Sequence, residues 1–408
     1  MQAQDLVLFQ AALGLSDPWR VESVVFDRDA KRLDLRVGFP KGSTFCCPEC
    51  DRAGLKAYDT AEKTWRHMDF WQHQTYLTAR VPRVVCPEHK VRQVALPWAR
   101  PQSGFTLLFE ALIMVMVKEM PVATLAGLIG EHDTRVWRVV DHYVDRAVEA
   151  QDLAGLQRAG LDETSSRRGH DYVTVFADLD ERRGVFVVEG RDHETVRAFS
   201  LFLETHGGDP GQVKEVSQDM SEAFLKGTTA YLPNAEITFD RYHVRSHLSK
   251  AVDEVRREES KHHRDLLANT RYMWLKRPKN LTERQRDLLD ELLTQPLETV
   301  RAYTLAQQFD SFYEITDPDT AEEYLRRWII EVDASGLQPL QRFARMLEDH
   351  WDGVIRWHHS RISNGLLEGL NSLIQAAKRR ARGYRSNRNF ITMIYLIVGK
   401  LNAGPIIA

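Results

Sequence analysis

Gly160-Leu161-Asp162-Glu163-Thr164 is the first of five short strand-like runs that close at Asp240-Arg241-Tyr242-His243, and the order of these runs decides the fold. Two apolar runs follow it, Tyr172-Val173-Thr174-Val175-Phe176-Ala177 and Gly184-Val185-Phe186-Val187-Val188. A helical pattern through Ala198, Phe199 and Leu203 leads to a fourth strand ending in Ser217-Gln218-Asp219. A helix from Ser221 leads to a fifth, Ile237-Thr238-Phe239. The order of three strands, helix, strand, helix, strand puts carboxylates where the first, fourth and fifth strands end. An acid at a strand end is fixed by the sheet and left open to a ligand by the sheet's edge. Asp162 or its neighbour Glu163, Asp219 and Asp240 are therefore candidate ligands of a catalytic metal.

The chain of 408 residues is long enough for two to four domains. Hydrophobic residues at 43% and charged residues at 28% describe a soluble globular protein. With 55 basic against 58 acidic side chains the formal charge is −3, so any contact with phosphate has to come from local patches. The N-terminus has no basic stretch of the secretory kind. The most apolar runs, Ala111 to Val117 and Ile391 to Val398, are too short to span a bilayer. These features predict a cytoplasmic protein with no membrane partner. Three of the four cysteines fall in Cys46-Cys47-Pro48-Glu49-Cys50, a pattern that suits metal binding better than a disulfide framework.

Cys47-Pro48-Glu49-Cys50 and Cys86-Pro87-Glu88-His89 are two knuckles of the same form. Cys47, Cys50, Cys86 and His89 make a four-ligand set suited to tetrahedral zinc with a closed shell, hence a structural site, with Cys46 a neighbour. Between the knuckles, Trp65 to Val85 reads as a hairpin whose Trp65, Phe70, Trp71, Tyr76, Leu77 and Val81 supply a small core. Arg80, Arg83, Lys90, Arg92 and Arg100 lie around the second knuckle with a single acid, Glu88, and form a candidate phosphate-facing strip. From Leu107 the period becomes helical, with Leu107, Leu108, Ala111, Leu112 and Val115 as an apolar stripe. A second helix starts at Pro121, Gly130-Glu131-His132-Asp133 makes a turn, and Thr134 opens a third helix. This is the helix-turn-helix pattern, in which Thr134, Arg135 and Arg138 would face a DNA groove or phosphates; an ordinary helical hairpin is the alternative.

The strand order matches that of RNase H-like folds, in which two metal ions sit between carboxylates and drive phosphoryl displacement. Asp and Glu with two Mg²⁺ ions, or Mn²⁺ in their place, suit that chemistry. Residues 249–355 read as an all-helical insertion, with a capping box at Thr282-Glu283-Arg284-Gln285; Trp274, Lys276, Arg277 and Lys279 are its candidate DNA contacts. A third acid appears in Ser363-Asn364-Gly365-Leu366-Leu367-Glu368-Gly369-Leu370-Asn371. Here Asn364 can cap a helix, and Leu366, Leu367, Leu370, Leu373 and Ile374 form its apolar stripe. Lys378, Arg379, Arg380, Arg382, Arg385 and Arg388 follow with no acid between them, a seat for a phosphate backbone.

Taken together, Gly160-Leu161-Asp162-Glu163-Thr164, Asp219-Met220-Ser221, Asp240-Arg241-Tyr242-His243 and the Glu368 segment resemble the DDE transposases of the insertion-sequence family written ISL-three. The resemblance covers nearly the whole chain and implies a multidomain mixed α/β protein. Its parts would be a zinc-binding β module (1–100), a helix-turn-helix (101–152), an RNase H-like core in two parts (153–248 and 356–408) and the helical insertion (249–355). It implies that Asp162, Asp219 and Glu368 are the metal-binding triad, with Asp240 and His243 as a supporting D-x-x-H pair. The implied activity is metal-dependent cleavage at terminal inverted repeats followed by strand transfer into target DNA. Double-stranded DNA would be the partner, a homodimer or larger synaptic assembly the working form, and the bacterial nucleoid its place of action. The competing readings are an RNase H-like nuclease and a non-catalytic DNA-binding regulator.

Overall fold

The computed structural model describes residues 3–167, 169, 171–276, 278–362 and 365–404. Arg277, Ser363 and Asn364, singled out above, lie outside the described residues. The chain divides into two compact units, one built on the residues up to Ala147 and the other on Val148–Lys400.

The first unit opens with helix α1 (Ala3–Ala12) and a sheet of six strands: β1 (Arg20–Asp27), β2 (Arg32–Gly38), β3 (Thr44–Phe45), β4 (Leu55–Phe70), β5 (His73–Cys86) and β6 (Lys90–Gln93). The order is β1-β2-β5-β4-β3, with β6 pairing β5. The expected hairpin is β4 and β5, and it starts ten residues before Trp65, at Leu55. Its core gathers Trp19, Leu33, Leu35, Trp65, Leu77 and Trp98. Trp71 does not join that core: it stands at the hairpin turn with φ 56° and is 80% exposed. Three helices follow, α2 (Leu107–Glu119), α3 (Val122–Ile129) and α4 (Asp133–Glu149). Gly130, at φ 68°, ends α3 in the left-handed conformation that glycine adopts without strain. The buried face of α2 is Phe109, Ile113, Met114 and Val117, while Leu108 and Val115 of the expected stripe are exposed. Both sets recur at helical spacing because α2 is apolar on most of its surface, so periodicity could not choose between them. Glu110 is buried on the same face and receives Arg100, Ser103 and the Tyr143 hydroxyl.

The second unit holds a five-stranded sheet, β7 (Arg158–Ser165), β8 (Tyr172–Asp178), β9 (Arg183–Glu189), β10 (Glu215–Gln218) and β11 (Glu236–Phe239), in the order β11-β10-β7-β8-β9. β7, β8 and β9 are antiparallel, and β10 runs parallel to both β7 and β11. Helices α5 (His193–Thr205) and α6 (Glu222–Tyr231) fill the connections on either side of β10. Ala159, Leu161, Phe176, Val185 and Val216 share a core with Phe199 and Leu203 of α5.

Helix α7 (Arg241–Glu259) begins an all-helical stretch, which continues through α8 (Arg264–Leu267), α9 (Arg271–Leu275), α10 (Glu283–Leu293), α11 (Glu298–Phe312), α12 (Pro318–Ser335), α13 (Gln338–Asp349) and α14 (Trp351–Ser360). The capping box at Thr282 forms as expected. Trp274 is buried, with its indole N–H given to the Thr270 hydroxyl, so it offers no surface to DNA. This stretch returns to the sheet through α14, where the absent side chain of Gly353 makes room for the Phe239 ring. Two last helices, α15 (Gly365–Arg380) and α16 (Asn387–Val398), follow. On α15, Leu367, Leu370 and Ile374 are buried, but Leu373, at 54% exposure, is not part of the stripe.

Candidate active site and metal centre

Alternate residues of a strand face opposite sides of the sheet. Ala159 and Leu161 of β7 join the core with α5, so Gly160 and Asp162 belong to the other face. A Cβ on Gly160 would stand 2.8 Å from Leu367 Cδ1 and 2.9 Å from Leu179 Cδ2. Glycine at this position therefore lets α15 lie close on β7. Asp162 does not stand at the expected strand end: β7 continues to Ser165, and Asp162 pairs in register with Val175. The acid reaches its site as a mid-strand residue under α15. Asp219 directly follows β10 and accepts the Ser221 N–H at 2.9 Å. Asp240 directly follows β11 and caps α7 by accepting the Tyr242 N–H at 2.9 Å.

These elements bring four predicted residues into one neighbourhood. His243, in the first turn of α7, places Nε2 3.8 Å from Asp162 Oδ1 and 3.8 Å from Asp240 Oδ2. Asn371 Nδ2 donates to Asp162 Oδ2 at 2.6 Å. Burial pushes the Asp162 carboxyl up to about 6; the nearby charges of Asp240 and Asp219 push the same way, while His243 and the Glu163 N–H oppose them. Glu368, one turn before Asn371, is exposed and lines a cavity of about 660 Å³ with Arg241, Tyr242, Arg245, Lys279 and Tyr313. Its carboxylate, Asp162 and Asp219 do not close to a spacing of 4.8 Å. Among the described residues, the group of three or more acids, histidines or cysteines that does is Cys47, Cys50, Cys86 and His89.

That group is formed by two turns, one between β3 and β4 and one between β5 and β6. The Cys50 and Cys86 sulfurs are 3.7 Å apart, and His89 Nδ1 is 3.6 Å from Cys86 Sγ and 3.8 Å from Cys47 Sγ. A tetrahedral ion with metal–sulfur bonds of about 2.3 Å and metal–nitrogen bonds of about 2.0 Å spaces its ligands by about 3.5 to 3.8 Å, so the four atoms fit one such ion. The backbone N–H of His89 draws the Cys86 thiol down to about 6 against the effect of burial, which favours the metal-binding thiolate. Cys46 is exposed and stays outside the group.

The candidate DNA contacts fare unevenly. Arg83 pairs with Asp59, Arg92 with Glu49 and Arg100 with Glu110, so the strip around the second knuckle is largely neutralised by acids distant in sequence. Arg80 is exposed and hydrogen-bonded to Thr60. On α4, Thr134 and Arg138 are exposed, whereas Arg135 pairs with Glu131 at 2.5 Å and lies over Phe105. Glu131 in turn faces the fully buried Arg66 at 3.8 Å. Lys378 donates to the Ser165 carbonyl at 2.6 Å, and burial lowers its pKa. Arg379, Arg380, Arg382, Arg385 and Arg388 are exposed. Gln375, which no motif marks, donates to Thr164 Oγ1 and the Ser165 carbonyl. Its spacing of one turn from Asn371, on the β7-facing side of α15, is the signal that would have found it.

Three family profiles match successive parts of the chain. A zinc finger of the transposases IS204, IS1001, IS1096 and IS1165 matches residues 43–89, a helix-turn-helix domain of transposase family ISL3 matches 94–144, and an ISL3 transposase domain matches 159–394. The chain is similar to the transposase for insertion sequence element IS1557 of Mycobacterium tuberculosis, 28% identical over 95% of this chain and 94% of that protein. It is also similar to the transposase for IS1001 of Bordetella parapertussis, 26% identical over 94% of this chain and 96% of that one. The transposase profile spans more than half of the chain and takes in both the sheet acids and Glu368, and the chain belongs to the ISL3 family of DNA transposases.

Proposed function

We propose that this transposase cleaves DNA at the terminal inverted repeats of its insertion sequence and transfers the freed 3′ ends, with Asp162, Asp219 and Glu368 holding two Mg²⁺ ions or Mn²⁺ in their place. The observation that carries this reading is the meeting of Asp162 with His243, Asp240 and Asn371 where β7, β11, α7 and α15 come together, with burial raising the Asp162 carboxyl to about 6. A buried acid among acids is relieved by a cation, and hard oxygen donors suit Mg²⁺. When bound, such ions supply activation of the attacking oxygen and stabilisation of the leaving oxygen. Asn371 fixes the Oδ2 lone pair of Asp162 and leaves the other oxygen toward His243. Asp240 anchors the start of α7 and so the position of His243. The order of three antiparallel strands flanked by two parallel ones supports an RNase H-like core.

In this reading the Cys47, Cys50, Cys86 and His89 group holds structural zinc. Helix α4 enters the major groove with Thr134 and Arg138 foremost, Arg135 serves more to brace the turn, and Arg379, Arg380, Arg382, Arg385 and Arg388 receive phosphates. A homodimer or larger assembly joins two ends in the bacterial cytoplasm; no helix among the described residues is long and apolar enough to cross a membrane. The domain limits 1–100, 101–152, 153–248, 249–355 and 356–408 are part of the proposal. Asp219→Ala tests it: Mg²⁺-dependent nicking of an end-bearing duplex should fall by at least about 1,000-fold while binding to that duplex persists. Undiminished cleavage would overturn the metal assignment, and cleavage indifferent to a scrambled repeat would mark a nuclease.

A further inference from the structure

Helix α7 carries a polar stripe, His243, Ser246, Lys250, Asp253 and Arg257, at alternating steps of three and four residues. Its opposite side, Val244, Leu248, Ala251, Val252 and Val255, is buried in the insertion core. The stripe starts 3.8 Å from Asp162 and ends in a cavity of about 520 Å³ lined by Ser246, Lys250, Asp253, Arg256, Arg257 and Arg271. Asp253 is only 8% exposed, and three guanidinium groups converge on it: Arg256 at 2.8 Å, Arg271 at 3.2 Å and Arg257 at 3.8 Å. A carboxylate offers about four acceptor positions and each guanidinium five N–H donors, so most of these donors remain for another acceptor. Four cations against one anion leave the cavity strongly positive, and the buried carboxylate holds its arginines in place in advance. Rigid arginine forks and a lysine suit phosphate oxygens.

We propose that this cavity is a seat for the phosphodiester backbone of the DNA strand held at the Asp162 site, an assignment that rests on the transposase reading above. Lys250 and Arg257 follow His243 by two and four helical turns, about 10 and 21 Å at 1.5 Å per residue. A strand of duplex DNA advances about 3.4 Å per nucleotide. The seat therefore falls roughly three to six nucleotides from the bond that is cut, and α7 acts as the spacer between the two.

The test uses the full-length chain carrying Lys250→Gln and Arg257→Gln together, with Arg256 and Arg271 retained so that Asp253 keeps its two closer partners. Both replaced side chains are exposed, and a melting curve matching the parent establishes folding; Lys250→Gln alone serves if the pair does not fold. For an end-bearing duplex, the slope of log affinity against log salt should fall by about 1.8, and affinity at 0.1 M salt by roughly 10- to 60-fold. A duplex with one uncharged methylphosphonate placed three to six nucleotides from the cut should bind the parent more weakly and the variant no differently. An unchanged salt slope, or no position at which the methylphosphonate distinguishes parent from variant, overturns the seat. Inorganic phosphate that binds the parent but not the variant and leaves duplex affinity unchanged, at matched ionic strength, would mark a free-anion pocket and also overturn it. A parent that binds ends but never cuts them would instead sink the catalytic reading, since the binding comparison remains readable without cleavage.

Discussion

The Asn371 side-chain amide donates to Asp162 Oδ2 at 2.6 Å across 209 residues of sequence. Through this bond the late helix α15 fixes the orientation of a carboxylate on the central strand of the sheet. Replacing Asn371 by alanine should lower nicking by about 10- to 100-fold and raise the Mg²⁺ concentration needed for half-maximal rate, as loss of a residue supporting a metal ligand does. A Mg²⁺ titration of nicking checks it; an unchanged midpoint would show that Asn371 does not orient a metal ligand.

Asp162 also links stability to pH. Its folded-state carboxyl titrates near 6, above the 3.8 of a free aspartate. The fold thus prefers the protonated form: this contribution to stability is fully present below pH 3.8 and is lost as pH rises through 6. Without divalent metal, Asp162→Asn should be more stable than the parent at pH 7.5, by up to roughly 3 kcal/mol. The gap should close near pH 4 and shrink when Mg²⁺ stabilises the parent. Denaturant unfolding at the two pH values, with and without Mg²⁺, reads this directly.

Gly160 lets α15 approach β7. Gly160→Val should destabilise the second unit by roughly 1 to 3 kcal/mol, because the added methyls meet Leu367 and Leu179. Leu367→Ala should recover part of that loss when combined with it, and a double-mutant cycle of unfolding free energies measures the coupling. Strictly additive effects would mean that the helix does not rest on Gly160.

Chelation or Cys86→Ser should remove one bound zinc per chain and unfold the β3–β6 region, with loss of end binding, since a structural ion contributes folding energy directly. Cys46→Ser should keep the zinc. Metal content by elemental analysis separates the two cysteines.

The helix-turn-helix arginines should differ in kind. Arg138→Ala should weaken DNA binding and lower the salt slope by about 1 without changing the melting temperature. Arg135→Ala should lower the melting temperature, because it leaves Glu131 beside Arg66 without its second partner. Salt-dependent binding and thermal melts of both variants would reveal equal behaviour if the distinction is wrong.

The sequence by itself determined the strand and helix order from Gly160 to His243, the two C-P-E knuckles, and the turn at Gly130, because each depends on neighbours close in the chain. Period two, period 3.6, a metal-ligand spacing and a glycine C-cap are all local signals. Only the tertiary structure decided that Asp162 stands in mid-strand, that Asn371 and Gln375 reach it and its neighbours, that Phe109 rather than Leu108 is buried on α2, and that Arg83 and Arg92 are neutralised by Asp59 and Glu49. A local pattern says which residues share a face. Which partner that face meets depends on the packing of elements far apart in sequence, and charge pairing and carboxyl desolvation are properties of that packing.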